Sequence, residues 1–408
     1  MTPTRRRCTG GVYYTAVAAA FGFRVTRTDG AARTGTLRTA HGVIDTPAFM
    51  PVGTQGVVKA LTPRDLRDVG AQVVLANTYH LLLRPGDALV ARRGGLHRFM
   101  GWSGPLATDS GGYQVFSLGA RRSIDDDGVS FRSHLDGRPV RLTPESATDV
   151  QVRLGADLTM AFDECTPYPA TEDEAHASME RTLRWARRSR ERFLAWRAGR
   201  AGGGEAMTTP AQAQFGVVQG GVHPGLREVS ARETVGLDFD AYAIGGLSVG
   251  EPPAVMYETA GLTAAGLPAD RPRYLMGIGM PDDLVETVAR GVDLFDCVLP
   301  TRNARNGQLF TSRGPLSIKG AVHAEDDRPP DPDCRCYTCR NFSRAYLRHL
   351  HVAREMTAAT LNTLHNLHFY LDTMRRMREA IASGAFEVFR QAFHRAYSRR
   401  PRHELPDD

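Results

Sequence analysis

Three aspartates directly follow short apolar segments of this sequence, at Asp109, Asp163 and Asp296. A carboxylate in such a position can act as a general acid or base, attack a sugar carbon, or accept hydrogen bonds from a purine. A single aspartate there would more simply cap the helix that follows. Three of them, accompanied by Gln219 and by two Gly-Gly turns, favour one shared site over three separate caps.

Exchange of one purine for another on a ribose is a reaction that such a set could catalyse. To keep the stereochemistry at C1′, one carboxylate attacks C1′ and holds the sugar covalently until the incoming base displaces it. A second carboxylate can pass protons to the leaving base and from the entering base. A third can accept the N1–H and N2–H2 donors of guanine, while Gln219 or the backbone N–H of Gly246 donates to its O6. Tyr113 and Met276 could stack on the two faces of the base.

A compact group of cysteines predicts a metal centre elsewhere in the chain. Cys334, Cys336 and Cys339 place three thiolates within six residues. With one imidazole they complete the Cys3His shell that suits structural zinc. Spacing alone leaves four candidates for that imidazole. They are His349, His351, His365 and His368.

The elements that must position these residues are eight apolar segments, each ending abruptly in a polar residue or glycine. Continuous apolar segments are typical of parallel strands buried on both faces. Their alternation with helical or long connecting segments predicts an α/β fold, specifically a (β/α)8 TIM barrel, in which strand ends converge on one mouth. The segments are Ala48–Gly53, Val73–Thr78, Leu106–Gly112, Leu158–Glu164, Phe215–Gly221, Ala243–Gly246, Tyr274–Gly277 and Leu294–Asp296.

A doubly wound open sheet is the competing architecture. It would require a glycine-rich phosphate loop after an early strand, and the stretch Asp109-Ser110-Gly111-Gly112 is too short to provide one. Two of the predicted helices are clear from their periodicity, from Glu172 to Trp196 and from Asp282 to Arg290, the second after Pro281 in its first turn.

The domain organisation follows from where the alternation of predicted strands and helices begins and ends along the chain. We expect residues 1–20 to be a disordered extension rather than a cleaved signal peptide, because no clear cleavage site follows their short apolar stretch. The segment from Arg197 to Ala213 contains three consecutive glycines and is typical of a surface loop. The remaining divisions are a catalytic barrel over 21–312, an inserted zinc-binding subdomain over 313–370, a C-terminal helical segment completing the barrel over 371–400, and a tail over 401–408.

Bulk composition limits the classes of protein that fit. The 408 residues are 42% hydrophobic, which is ample for a large core, and the formal net charge of +6 allows an acidic partner such as RNA. Six cysteines, three of them clustered, do not resemble the disulfide framework of a secreted protein. No apolar segment approaches the roughly 20 residues that span a bilayer. We therefore expect a cytoplasmic protein with no membrane association.

Several long motifs, taken in order, resemble those of the bacterial tRNA-guanine transglycosylases, the queuine tRNA-ribosyltransferase family. The resemblance covers about Phe23 to Tyr397 and is most specific from Phe295 to Gly307. The other matching stretches are His41–Thr54, Asp109–Gln114, Phe162–Tyr168, Val218–Gly221 and Gly245–Glu251.

The resemblance implies a role for each candidate residue. Asp296 would be the nucleophile and Asp109 the general acid/base. The implied zinc ligands are Cys334, Cys336, Cys339 and His365, with one structural ion per subunit. Arg302 and Arg305 match the family's contacts with the tRNA anticodon loop, and the family forms homodimers through the region of the zinc subdomain. The substrate-binding residues would be Asp163, Gln219, Gly246, Leu247, Tyr113, Met276, Ser110, Cys165 and Glu251.

The implied reaction is a step of queuosine biosynthesis. Guanine at the wobble position of tRNAs with a GUN anticodon would be exchanged for the 7-deazaguanine base 7-aminomethyl-7-deazaguanine. Cys165 and Val249 follow the bacterial pattern, and Val249 leaves less room for the bulkier queuine than the glycine of eukaryotic members.

Three alternatives fit parts of the sequence. A non-catalytic tRNA-binding subunit of the same fold would lack the catalytic aspartates. An archaeal-type enzyme would carry additional C-terminal RNA-binding domains. A zinc-dependent barrel hydrolase would place histidine ligands at strand ends, whereas the clustered cysteines lie elsewhere.

Overall fold

A computed structural model describes residues 21–116 and 122–397 of the chain. The expected N-terminal extension and C-terminal tail lie outside these residues. The strands are β1 (Gly22–Asp29), β2 (Ala32–Thr39), β3 (Gly42–Thr46), β4 (Ala48–Pro51), β5 (Val74–Ala76), β6 (Leu106–Thr108), β7 (Arg122–Asp125), β8 (Gly128–Arg132), β9 (Pro139–Leu142), β10 (Leu158–Met160), β11 (Ala213–Val218), β12 (Ala241–Ile244), β13 (Arg273–Leu275), β14 (Leu294–Cys297), β15 (Gln308–Thr311) and β16 (Gly314–Ser317).

Eight of these strands form one parallel sheet, in the order β4-β14-β13-β12-β11-β10-β6-β5. A parallel bridge between Val52 and Leu75 joins the two outer strands, and the Gly53 N–H donates to the Leu75 carbonyl at 2.6 Å. The sheet is therefore a closed barrel. Each of the eight apolar segments supplies one strand, so the predicted (β/α)8 fold is confirmed and the open sheet is excluded.

The helices cover the outside of the barrel and build the C-terminal region. The two helices predicted from periodicity are present as α7 and α10. In chain order the helices are α1 (Pro63–Asp68), α2 (Thr78–Leu83), α3 (Asp87–Arg92), α4 (Gly95–Met100), α5 (Gly112–Phe116), α6 (Pro144–Leu154), α7 (Glu172–Arg197), α8 (Pro224–Gly236), α9 (Pro253–Ala265), α10 (Pro281–Val288), α11 (Leu299–Arg305), α12 (Tyr337–Asn341), α13 (Arg344–Val352), α14 (Met356–Ala382) and α15 (Phe386–Tyr397).

An antiparallel sheet of β1, β2 and β3 covers the amino ends of the barrel strands. Leu37 and Ile44 from this sheet are fully buried against the inward-facing side chains of the barrel. Arg33 forms a bidentate ion pair with buried Asp293 at 2.9 and 2.6 Å, which ties the sheet to the start of β14. Sequence analysis did not predict this sheet, because its polar and apolar residues do not alternate regularly.

The C-terminal region is joined to the barrel by one long helix. Helix α14 runs without interruption across the division predicted between residues 370 and 371. Its apolar face packs in the barrel core, where Leu367 and Met377 are fully buried. The division into a zinc subdomain and a C-terminal segment stays a prediction. No helix in the described part of the chain is both long and apolar enough to cross a membrane.

Candidate active site and metal centre

A cavity of about 320 Å³ opens at the carboxyl ends of the barrel strands. It is lined by residues from all eight barrel strands, at their ends or in the loops after them. The barrel therefore brings together side chains that are almost 200 positions apart in the sequence. The predicted site residues that line the cavity are Asp109, Ser110, Tyr113, Asp163, Cys165, Gln219, Gly246, Leu247, Met276 and Asp296.

Asp109 is buried at the end of β6 and is held by residues of the neighbouring strand end. Its carboxylate accepts hydrogen bonds from the Asn77 side chain and, at 2.8 Å, from the Thr78 backbone N–H. Burial and, to a smaller extent, the like charge of Asp296 raise the pKa of Asp109 to about 6 against the lowering effect of these bonds. A carboxyl group with this pKa can both give and take a proton near neutral pH.

Asp296 lies in β14 with one carboxylate oxygen anchored. Its Oδ1 accepts hydrogen bonds from the Tyr274 hydroxyl at 2.5 Å and from the Gly277 backbone N–H at 2.9 Å. Burial raises the pKa of this carboxyl, while both hydrogen bonds lower it. Among the described residues no hydrogen bond reaches Oδ2, so this oxygen has a lone pair free to attack an electrophile.

Asp163 is the third carboxylate, and it is fixed by two side chains. The Ser110 hydroxyl donates to its Oδ1 at 2.9 Å, and the Gln219 Nε2 donates to its Oδ2 at 2.8 Å. Burial raises its pKa, and the two donors counteract this. The Oε1 of Gln219 is buried and has no partner among the described residues. Asp163 and the Gln219 amide thus lie side by side in the cavity wall, with both carboxylate oxygens hydrogen-bonded.

Gly246 can only be glycine at this place in the cavity wall. Its φ is +68°, in the left-handed region, and a Cβ there would collide with the Gln219 side chain. The turn therefore depends on the absence of a side chain, which brings the backbone against the Gln219 amide.

Arg227 in α8 supports this wall from behind. It is fully buried, and it donates to the carbonyl oxygens of Val218, Gly221 and Gly245 at 2.7 to 3.1 Å. Burial lowers the pKa of its guanidinium to about 10. A buried cation bonded to backbone carbonyls locks the two Gly-Gly turns in register.

Sequence analysis missed several of these supporting residues. Asn77 and Thr78 follow the apolar segment of β5, just as the three aspartates follow the apolar segments of their own strands. The same pattern could therefore have identified them as site residues. Tyr274 and Arg227 gave no such signal. Their roles depend on which strand and helix lie next to each other in space.

The remaining predicted cavity residues form its rim and one wall. Tyr113 is 57% exposed and lies at the opening of the cavity. Met276 is half-buried and lines the cavity, while Cys165 is buried. Glu251 lies outside the cavity, where its carboxylate accepts hydrogen bonds from the backbone N–H groups of Ser248 and Val249, which follow Leu247. Glu251 therefore shapes the loop rather than facing the cavity.

Arg302 and Arg305 also lie outside the cavity, on α11. This helix begins three residues after Asp296, so it projects directly from the site. Arg302 is exposed, and its charge acts on Tyr113 at the rim. Arg305 lies one helical turn further out and is half-buried. Burial and the like charge of Arg302 lower its pKa.

The cysteine cluster forms a separate centre that could hold a metal ion. The His365 Nδ1 lies 3.8 Å from the Cys334 Sγ, 3.5 Å from the Cys336 Sγ and 3.2 Å from the Cys339 Sγ. Bond lengths of about 2.3 Å to sulfur and about 2.05 Å to nitrogen give a tetrahedral S···N edge of about 3.6 Å. The four donors therefore fit one tetrahedral ion.

The surroundings of His365 distinguish it from the other candidate histidines. Its Nε2–H donates to the Phe310 carbonyl at 2.8 Å, which leaves the Nδ1 lone pair directed at the sulfurs. His368 approaches Cys334 alone, at 3.6 Å. His349 and His351 lie on α13 and are not part of the cluster. The centre contacts β15 and α14 rather than the cavity.

Together, the closed barrel, the cavity with three carboxylates and the distant thiolate centre define a barrel enzyme of the group-transfer class. The family profile described as queuine tRNA-ribosyltransferase matches residues 28–399. The chain belongs to this family of tRNA-guanine transglycosylases, which are pentosyltransferases.

Three relatives illustrate the similarity, each described as a queuine tRNA-ribosyltransferase. The protein of Syntrophobacter fumaroxidans is 55% identical over 374 residues, which is 91% of this chain and 96% of the relative. That of Aromatoleum aromaticum is 56% identical over 362 residues, or 89% and 95%. That of Thermoanaerobacter pseudethanolicus is 52% identical over 366 residues, or 90% and 94%.

Proposed function

We propose that the protein exchanges guanine at the wobble position of GUN tRNAs for 7-aminomethyl-7-deazaguanine. The observation that carries this proposal is the arrangement of Asp296, Asp109 and Asp163 around one cavity, with a different set of partners for each. One carboxylate has a free oxygen, one has a pKa near neutrality, and one is hydrogen-bonded to a side-chain amide in the cavity wall. These are the three roles that the exchange requires.

Asp296 is the proposed nucleophile. Its Oδ2 attacks C1′ of the ribose, the C1′–N9 bond breaks, and an ester between the sugar and the enzyme forms. The hydrogen bonds from Tyr274 and Gly277 hold Oδ1, so they orient the attacking oxygen. The incoming base then displaces the ester from the opposite side. Two inversions leave the configuration of the ribose unchanged.

Asp109 is the proposed proton shuttle, and its interaction with Asp296 supports a change of role. The negative charge of Asp296 contributes to the raised pKa of Asp109 before the first attack. Asp109 can then protonate the departing guanine. Once Asp296 is an ester it no longer carries charge, so this contribution disappears and the carboxylate form of Asp109 is favoured. Asp109 is then ready to take the proton of the entering base.

The third carboxylate and the Gly-Gly wall would recognise the purine. Asp163 would accept the N1–H and N2–H2 donors, while the second N–H of the Gln219 amide or the Gly246 N–H donates to O6. Ser110 orients Asp163, and Tyr113 and Met276 would cover the two faces of the base. The Leu247 carbonyl would receive the aminomethyl group, with Glu251 fixing its loop. Cys165 and Val249 support the bacterial base over queuine.

The thiolate centre would hold one zinc ion per subunit. Four protein donors leave no open coordination position, so a bound ion would stabilise this region and take no part in base exchange. Its ligands would be Cys334, Cys336, Cys339 and His365.

We further propose a homodimer formed through the zinc-binding region. Tyr337 and Tyr346 are 54% and 42% exposed; Tyr337 meets Phe342 edge-on and Tyr346 stacks on it, with ring centroids at 5.6 and 5.4 Å. Exposed clusters of aromatic rings are typical of interface centres. A Tyr346→Asp variant should dissociate in sedimentation experiments, and a variant of unchanged mass would contradict this interface.

Guanine exchange tests the function directly. Purified protein is incubated with unmodified GUN tRNA and labelled guanine. Incorporation at the wobble position, chased out by 7-aminomethyl-7-deazaguanine but not by queuine, is the expected result. No incorporation by a folded, zinc-loaded sample would favour the alternative, a non-catalytic tRNA-binding subunit. The presence of Asp109 and Asp296 argues against that alternative.

A further inference from the structure

A second groove lies beyond the catalytic cavity, where the outer end of α11 meets α13 and α14. Four basic side chains line it, from three parts of the chain: Arg305 at the end of α11, Lys319 after β16, and His351 and Arg354 at the end of α13. Glu355 is its acidic residue. Its remaining lining residues are Val352, Met356, Ala358 and Ala359.

The basic side chains of this groove are not neutralised by the protein. Across residues 21–116 and 122–397, none of the four makes an ion pair with a carboxylate within 4.0 Å, whereas the buried Arg33 and Arg190 each pair with an aspartate, at 2.6 and 3.1 Å. Arg305 donates only to the Thr301 carbonyl, within its own helix. Burial is the larger cause of the lowered pKa of both His351 and Arg305, and the nearby cations Lys319 and Arg302, respectively, add a smaller like-charge repulsion. An anionic ligand would relieve this repulsion.

The backbone at the rim of the groove is strained. Arg354 has a φ of +58°, in the left-handed region, although it is not glycine. Such a conformation costs of order 1–3 kcal/mol and tends to be kept where it serves a function. Here it places an exposed cationic side chain beside the groove between α13 and α14. The left-handed residue ends α13, where the Glu355 N–H donates to the Leu350 carbonyl at 2.9 Å. Glycine or asparagine would adopt this φ with less strain, whereas the arginine adds a cation at this point.

The groove continues the row of cations that begins at the catalytic cavity. Arg302 lies near the rim, and Arg305 lies one helical turn further along α11 and forms part of the groove. Six residues separate the start of α11 from Arg305, which is about 9 Å of helix. A polynucleotide with its reacting nucleotide in the cavity can therefore reach the groove within a few nucleotides.

The shape of the groove favours a polynucleotide over a free phosphate ion. It is open rather than enclosed, with a volume of about 610 Å³. Val352 and Met356 beside the cations are 59% and 87% exposed. Alternating cationic and apolar contacts suit a single strand, whose phosphates are charged and whose riboses and bases are not.

We propose that Lys319, His351 and Arg354, together with Arg305, bind the phosphate backbone of the tRNA a few nucleotides away from the base that is exchanged. This proposal rests on the proposed function, since it takes the tRNA in the cavity as the occupant of the groove.

The test uses the full-length enzyme and two variants, Lys319→Ser and Arg354→Asn. Asparagine tolerates a positive φ, so the second variant removes the charge without adding strain. The control is Arg98→Asn, which removes an exposed arginine from α4, on another part of the barrel. The control matches the change in net charge, so any nonspecific electrostatic effect is common to both.

Binding of unmodified tRNA is measured at several salt concentrations, together with KM for tRNA and for guanine. Each groove variant should raise the Kd and KM for tRNA about three- to tenfold and reduce the salt slope by roughly 0.7–1. KM for guanine should stay as in the control. Arg354→Asn should unfold at the same temperature as the unmodified enzyme or higher.

Two outcomes distinguish a failure of the groove proposal from a failure of the proposed function. Groove variants that exchange guanine with an unchanged tRNA affinity and salt slope would overturn the groove and leave the proposed function standing. An unmodified enzyme that exchanges no guanine, while the groove variants lose tRNA affinity, would overturn the function and leave an RNA-binding groove.

Discussion

The hydrogen bond between Asn77 and Asp109 should set the pH at which the covalent intermediate forms. Asp109 must be protonated to donate a proton to the departing guanine, so the rate of adduct formation should fall as the pH rises through its pKa of about 6. The Asn77 amide bonds the carboxylate form and therefore lowers that pKa. Replacing Asn77 by alanine should therefore shift the descending limb of the pH–rate profile of adduct formation to higher pH.

The size of the shift follows from the interaction that is lost. A hydrogen bond to a charged group contributes about 1.5–3 kcal/mol, and one pKa unit corresponds to about 1.4 kcal/mol. The limb should therefore move up by roughly one to two units. At pH 7 the unmodified enzyme has about one protonated Asp109 in ten, whereas half or more would be protonated in Asn77→Ala. The base-entry half-reaction needs the carboxylate, so its rate should change in the opposite direction.

The assay quenches the enzyme and tRNA in denaturant at timed intervals between pH 5 and pH 9, then separates the covalent adduct on a gel. Gln212→Ala provides a matched control, because Gln212 is a fully buried amide next to the start of β11, at the other end of the barrel. The control should lose stability without moving the limb. If Asn77→Ala forms the adduct but the descending limb of its pH–rate profile stays in place or moves to lower pH, this role of Asp109 is refuted.

Three further changes test other parts of the site. Asp296→Ala should abolish the covalent RNA adduct while circular dichroism and tRNA binding stay unchanged; an adduct that persists would move the nucleophile elsewhere. Cys336→Ser should lower the zinc content and the melting temperature together, since metal binding contributes to folding, and a zinc-replete variant of equal stability would contradict the ligand set. Arg227→Met should raise KM for guanine at least tenfold, because the Gly-Gly turns lose their common support, while KM for tRNA changes little; equal changes in both constants would indicate general loss of structure.

The sequence by itself determined the barrel and the main chemical groups. Each barrel strand is buried on both faces, so its sequence is a continuous run of apolar residues. Such a run can be recognised within a short stretch of the chain. The aspartates at the ends of these segments could be recognised for the same reason. The cysteine spacing of Cys334, Cys336 and Cys339 is also local, and it predicted a metal centre without any knowledge of the fold.

Only the tertiary structure decided which partners tune these groups. The pKa of Asp109 depends on Asn77 from the neighbouring strand, and the free oxygen of Asp296 depends on where the Tyr274 hydroxyl reaches. The selection of His365 depends on the Phe310 carbonyl, 55 positions away. Such contacts are set by the closure of the barrel and the packing of helices on it. Because they join residues that are distant in the chain, no local pattern in the sequence encodes them.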